Sequence, residues 1–212
     1  MGCDIHAFID YSTPTECGSY TRCVAELHIS RDYLLFSVLA GVRNYKELTP
    51  VSNPKGVPDN MSSLIRDKYT LYVLDEGEED YSDDKFCTFE RGQYYAKHYG
   101  WFNENMGLVN HPDWHSASWL DVEELKKAQI IYSSCSKEYP DFKMLPLGHE
   151  IPEVYKISAK YSWLNTKEMF VVEEINPGLI GKHIVLESII SMMESLNDGD
   201  INRTKFIFWF DN

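Results

Sequence analysis

Phe206-Ile207-Phe208-Trp209-Phe210 decides the fold of this chain, because it places five large apolar residues in a row. Successive side chains of a strand point to opposite faces, so a run that is apolar on both faces needs cover above and below and belongs inside a sheet. At the other end, Cys3, Ile5, Ala7 and Ile9 alternate with Asp4, His6, Phe8 and Asp10, and that period of two predicts a half-buried strand. After a turn region from Ser12 to Gly18, the alternating residues Thr21, Cys23, Ala25, Leu27 and Ile29 are placed to return as a hairpin. Strands at both ends imply a single α+β domain over residues 1–212. Its sheet, mixed or mainly antiparallel, holds both the N-terminal and the C-terminal strand and packs with about three helices.

The helices announce themselves by their ends. Ser30 is placed to cap residues 31–40, with Ile29 and Leu34 as a hydrophobic staple and Gly41 as the stop. Asp121 and Glu124 have capping-box spacing, Leu120 and Leu125 staple spacing, and a helix over 122–129 is expected to follow. Strands are expected at Thr70–Leu74, Gln129–Tyr132, Val154–Lys160 and Met169–Ile175. A last helix shows Val185, Ile189, Met192, Met193 and Leu196 on one face and stops at Gly199. Pro50, Pro54, Gly56 and Pro58 mark the start of an excursion from the main pattern around 50–110.

Twenty basic and thirty-three acidic residues leave a net charge of −13, which disfavours direct binding to a phosphate backbone. Seven of the acids fall between Asp75 and Asp84, without the Gly and Glu spacing of an EF-hand loop. No apolar run approaches the roughly 20 residues of a membrane span. The five cysteines include no Cys-x-x-Cys pair and follow no signal peptide, so a cytoplasmic location is expected. Met-Gly-Cys opens like an acylation signal, but His6 stands where Ser or Thr is wanted.

Two segments carry the chemistry. Asp4 and His6 lie two residues apart on a strand, on one face and roughly 7 Å apart, near enough to share a metal or a proton network. Their spacing resembles the Asp-x-His opening of calcineurin-like metallophosphatases, whose later Gly-Asp and Gly-Asn-His motifs are missing. The second segment, His111-Pro112-Asp113-Trp114-His115-Ser116-Ala117-Ser118, reads as a loop entering a helix, where His115, Ser116 and Ser118 can present donors to an anion. Arg43, beside Asn44, has the side chain best shaped to fork onto phosphate. Asn176–His183 lacks the first Gly and the Ser or Thr of a P-loop, and neither a dinucleotide fingerprint nor a nucleophile elbow occurs.

In the opening Met1-Gly2-Cys3-Asp4-Ile5-His6, the block from Arg31 to Asn44, Pro54-Lys55-Gly56-Val57-Pro58, His115-Ser116-Ala117-Ser118-Trp119-Leu120 and Phe208-Trp209-Phe210-Asp211-Asn212, the chain resembles a family of uncharacterised proteins of bacteriophages and bacteria. The resemblance runs in order from end to end. It implies a phage setting, with the host cytoplasm as location, and carries no activity with it.

The residues point to a small cytosolic hydrolase, phosphodiesterase-like, for a phosphate-containing or nucleotide-like small molecule. Asp4, His6 and His115 would be catalytic, one His acting as general base on water. The same three would hold a divalent metal ion if that is the cofactor. Ser116, Ser118, Arg43 and Asn44 would hold the anion. The alternative is a non-catalytic protein that sequesters a nucleotide signal or inhibits a host protein, using His115 and the aromatic residues Tyr94, Tyr95, His98, Tyr99, Trp101 and Phe102. Mimicry of nucleic acid by the acids of 75–84 comes last, since so local a charge covers little surface.

Overall fold

A computed structural model describes residues 3–16, 18–45, 47–78, 85–99, 102–103, 107–136, 142–145, 169–172 and 184–211. The first elements are β1 (Ile5–Thr15), β2 (Gly18–Leu27) and α1 (Tyr33–Ala40). α2 (Ser63–Tyr69), β3 (Thr70–Val73), β4 (Phe86–Cys87), α3 (Phe89–Tyr99), β5 (Phe102–Asn103) and β6 (Leu108–Asn110) come next. The chain continues through β7 (His115–Leu120), α4 (Val122–Ser136), β8 (Phe142–Leu145), β9 (Met169–Val172), α5 (Ile184–Asn197) and β10 (Thr204–Phe210).

The main sheet is antiparallel throughout, in the order β2-β1-β10-β7, so the first and last strands are neighbours. β1 and β10 pair from Ile5 opposite Phe210 to Tyr11 opposite Thr204. Phe206, Phe208 and Phe210 point to one face and pack with α1, α4 and α5, while Ile207 and Trp209 point to the other and meet Phe8, Met61, Ile65 and Tyr69. The five β10 side chains are at most 1% exposed, and burying each is worth about 1.5–3 kcal/mol. The two-sided cover expected of this run is present. The chain is α+β, with five helices among the described residues.

Local chemistry fixes most of the helix ends. Asp32, two residues beyond the expected Ser30, accepts from the amides of Leu34 and Leu35, and α1 stops at Gly41 with φ 70°. At α4 the capping box forms in both directions: Glu124 N–H donates to Asp121 Oδ1 at 2.8 Å, and Asp121 N–H donates to Glu124 Oε2 at 3.1 Å. That helix runs on through Gln129–Tyr132, because Ala128 keeps to the core stripe begun by Leu125 and overrides the β-like local composition. In α5 the buried stripe is Leu186, Ile189, Met193 and Asn197, and Met192 is exposed.

Residues 63–110 supply a second sheet, β4-β3-β6-β5, with β4 parallel to β3 and the other pairs antiparallel. The helix α3 leans on it so closely that Gly92 meets Val73. β8 and β9 form a separate antiparallel pair. The expected strand Val154–Lys160, the segment Asn176–His183 and the opening Met-Gly lie outside the described residues, as does most of the acidic run after Glu78.

Candidate functional site

β7 overturns one local expectation. His115–Leu120 is an edge strand of the main sheet, and its pairing slips between Phe208 and Phe210 of β10 because Ser116, at φ 51°, is an extra residue in a bulge. Ser118 is fully buried, and its Oγ accepts from Lys55 N–H at 3.2 Å. Together with Gly56 N–H donating to Ala117 O at 2.9 Å, this bond lays the Pro54–Pro58 segment along the open edge of β7. Ser118 therefore closes a sheet edge.

The sheet separates the two histidines placed together by sequence. His6 is opposite Trp209 and its ring lies parallel to that indole at 5.8 Å, whereas His115 is opposite Phe210 and stacks on that ring at 6.0 Å. Trp209 and Phe210 are consecutive and point to opposite faces, so His6 and His115 do too. Asp4 stays near His6, but its carboxylate has another partner. Its carboxylate is gripped through both oxygens by the Nε and Nη2 of Arg31, which lower it from the usual carboxylate range. Among the described residues no three His, Cys, Asp or Glu side chains gather into a metal-binding set, and Asp4, His6 and His115 are not brought together as one.

In place of Asp4, the partner of His6 is Asp211. The antiparallel register places Asp211 next to Asp4 at the end of β10, where its Oδ1 accepts from Asp4 N–H at 2.8 Å and its Oδ2 lies 3.1 Å from His6 Nε2. A carboxylate held by a backbone amide on one oxygen is well fixed to orient an imidazole with the other. The second ring nitrogen of His6, Nδ1, has no hydrogen-bond partner among the described residues, and 36% of the side chain is exposed. Trp114 lies across the ring at 4.7 Å, with His111 stacked on Trp114 at 4.5 Å and the Trp114 indole N–H donating to Lys68 O at 3.2 Å. The His111-Pro112-Asp113-Trp114 turn, closed by Trp114 N–H donating to His111 O, thus brings Trp114 onto the imidazole and to 6.2 Å from Trp209, so that the three rings form one cluster.

The anion-holding candidates divide. Asn44 donates from Nδ2 to Leu48 O at 2.6 Å and accepts Leu48 N–H on Oδ1 at 2.8 Å, so both ends of its amide close the loop after α1. Arg43 has φ 52° and its guanidinium lies beside Cys3, on the helix-covered face. Burial pushes the Cys3 thiol up in spite of that cation, which keeps it protonated at neutral pH. Ser116 Oγ lies 3.1 Å from His115 Nδ1, while His115 Nε2 is buried without a hydrogen-bond partner among the described residues. Arg31, paired with Asp4, is a cation whose charge also reaches Asp211.

Tyr94 and His98 stack on each other at 4.0 Å on α3, in the second sheet's layer, and Tyr95 packs beneath them into that layer's core. Trp101 lies outside the described residues. An apolar groove of about 540 Å³, lined by Leu48, Pro50, Val51, Ile130 and Ile131, contains none of these groups. No helix of the described residues is long and apolar enough to cross a membrane. No protein-family model, no curated protein and no solved structure matches this chain.

Proposed function

We propose that the protein is a cytoplasmic hydrolase of a phosphate-containing, nucleotide-like small molecule, with His6 as general base and Asp211 as the group that orients it. One observation carries this reading: Asp211 takes the Nε2 side of the ring and leaves Nδ1 open at a partly exposed position. With the Nε2 proton held by Asp211, Nδ1 carries the lone pair and can accept a proton from water. That water would attack phosphorus as the bond to the leaving group breaks, and Asp211 would stabilise the imidazolium that results. Arg31, whose Nε and Nη2 hold Asp4, has Nη1 left to meet a phosphate oxygen.

A second reading is favoured by the aromatic cluster itself. His6 packs in one group with Trp114 and Trp209, an arrangement that also suits a protein that holds a nucleotide without turning it over. In the phage setting implied by the resemblance, that would be sequestration. Wild type, His6→Ala and Asp211→Asn screened against nucleotides, cyclic dinucleotides included, separate the two readings. Turnover in wild type that falls about 10²–10⁴-fold in both variants is the expected result. A thermal shift in wild type without turnover assigns sequestration, and turnover that survives both substitutions removes His6 from the reaction.

A further inference from the structure

Near His6, the carboxylate of Asp4 sits among groups that favour negative charge. Arg31, in the link between β2 and α1, donates to it from Nε and from Nη2, the latter at 2.6 Å. His6, two residues further along the chain, and His28, in the same link as Arg31, add their fields to that of the guanidinium. In a chain of net charge −13, such groups gathered around one position suit a place that holds an anion. The present holder is loosely bound. The Arg31 and Asp4 side chains are 54% and 50% exposed, and an ion pair so open to water adds little to stability. Its geometry is nevertheless that of a ligand contact, because the Nε–Nη2 edge of a guanidinium fits two oxygens of a phosphate as well as those of a carboxylate.

We propose that the Asp4 carboxylate is a built-in competitor in the anion position near His6, displaced when a ligand brings a dianionic terminal phosphate to Arg31. The inference rests on the reading of this site as one for a phosphate-containing molecule. It names the class within that reading: a phosphomonoester, such as a nucleotide with a free terminal phosphate. Near neutral pH such a group carries about −1.5 to −2 charges and three acceptor oxygens, against the single charge and two oxygens of Asp4. It therefore gives Arg31 an equal fork and answers the fields of His6 and His28 with more charge. A phosphodiester has one charge and two free oxygens, so it brings nothing that Asp4 lacks, and Asp4 is kept close by the chain itself. Because Asp4 and the ligand take the same edge of Arg31, affinity for every anion is reduced by one factor, the fraction of molecules in which that edge is free.

The test is an NMR titration of wild type, Asp4→Asn and Arg31→Met with inorganic phosphate and with dimethyl phosphate, a monoanionic diester, slightly above neutral pH. The signals followed are the Arg31 Nε–H, where present, and the His6 and His28 rings. Asp4 is half exposed, and its backbone N–H, the group that Asp211 uses, survives the substitution, so Asp4→Asn is expected to fold as wild type does. In wild type, phosphate is expected to shift these signals with saturation, at several-fold lower concentration than dimethyl phosphate. Asp4→Asn is expected to bind both probes several-fold more tightly and by the same factor, and Arg31→Met to lose saturable binding of either. No saturable shift with phosphate, an affinity that Asp4→Asn leaves unchanged, or binding that survives Arg31→Met overturns the proposal. So does a gain in Asp4→Asn confined to phosphate, since a carboxylate that only repels from nearby acts more strongly on the dianion. The titration needs no turnover, so its failure and the failure of His6 as general base are read separately.

Discussion

His6 and His115 lie two strands apart in one sheet, roughly 10 Å across it, and face opposite ways, because the first rides on Trp209 and the second on Phe210. The two histidines therefore answer to different neighbours. His115 keeps its ring against Phe210 and holds a buried nitrogen without a partner among the described residues, a burden of about 1–3 kcal/mol. His115→Phe retains the ring and removes that nitrogen. The expected outcome is an unchanged or higher melting temperature and full turnover, and a variant that melts normally but loses turnover ties His115 to the reaction.

Asp10 is 2% exposed, and burial raises its carboxyl above the usual range although Ser62 donates to both oxygens. A raised acid favours the folded state in its protonated form. Its contribution is thus fullest below the unfolded pKa and is lost as pH rises toward the folded one. Asp10→Asn should flatten this part of the stability profile and keep one Ser62 bond, whereas Asp10→Ala should cost about 2–3 kcal/mol at neutral pH. Urea unfolding of the three proteins across the acidic range measures both effects. Asp4 has the opposite sign: Arg31 lowers it, so its help is present above the ordinary carboxylate range and fades as pH falls, and exposure keeps that help small.

The first and last strands, β1 and β10, the capping box at Asp121 and the stops at Gly41 and Gly199 were legible in the sequence, since each depends on period or on residues within one turn. β7 was not, because Ser118 is a buried polar residue and the bulge at Ser116 breaks the alternation that marks a strand. The Gln129–Tyr132 run was misread as a strand for the opposite reason: its composition is β-like, but its neighbours continue a helical stripe. Half of the candidate dyad was legible as His6. Asp211 was hidden, as only the register of β1 against β10, a relation across more than two hundred residues, brings it to the ring.

A methyl group on Gly92 would stand 2.5 Å from Val73 Cγ1, on a β-branched side chain that has little freedom to turn away. Gly92→Ala is expected to cost about 1–3 kcal/mol through overpacking of α3 on β3. Gly92→Ala with Val73→Ala should recover part of that loss in denaturant unfolding. Equal stability of Gly92→Ala and wild type would mean that α3 sits further from β3.

Removing residues 206–212 takes away the strand that fills both faces of the main sheet together with Asp211. Loss of the cooperative thermal transition is expected. A truncated chain that still melts in one sharp step would show that the core closes without β10.

Asp211 holds the Nε2 side of His6, and Nδ1 has no partner among the described residues. Nitrogen NMR of the His6 imidazole at neutral pH reads this directly, since proton position on a ring cannot be assigned from heavy atoms alone. The expected spectrum shows a proton on Nε2, an unprotonated Nδ1, and loss of that preference in Asp211→Asn. A neutral ring protonated on Nδ1, or a preference that Asp211→Asn leaves untouched, would contradict the assignment of His6 as the general base.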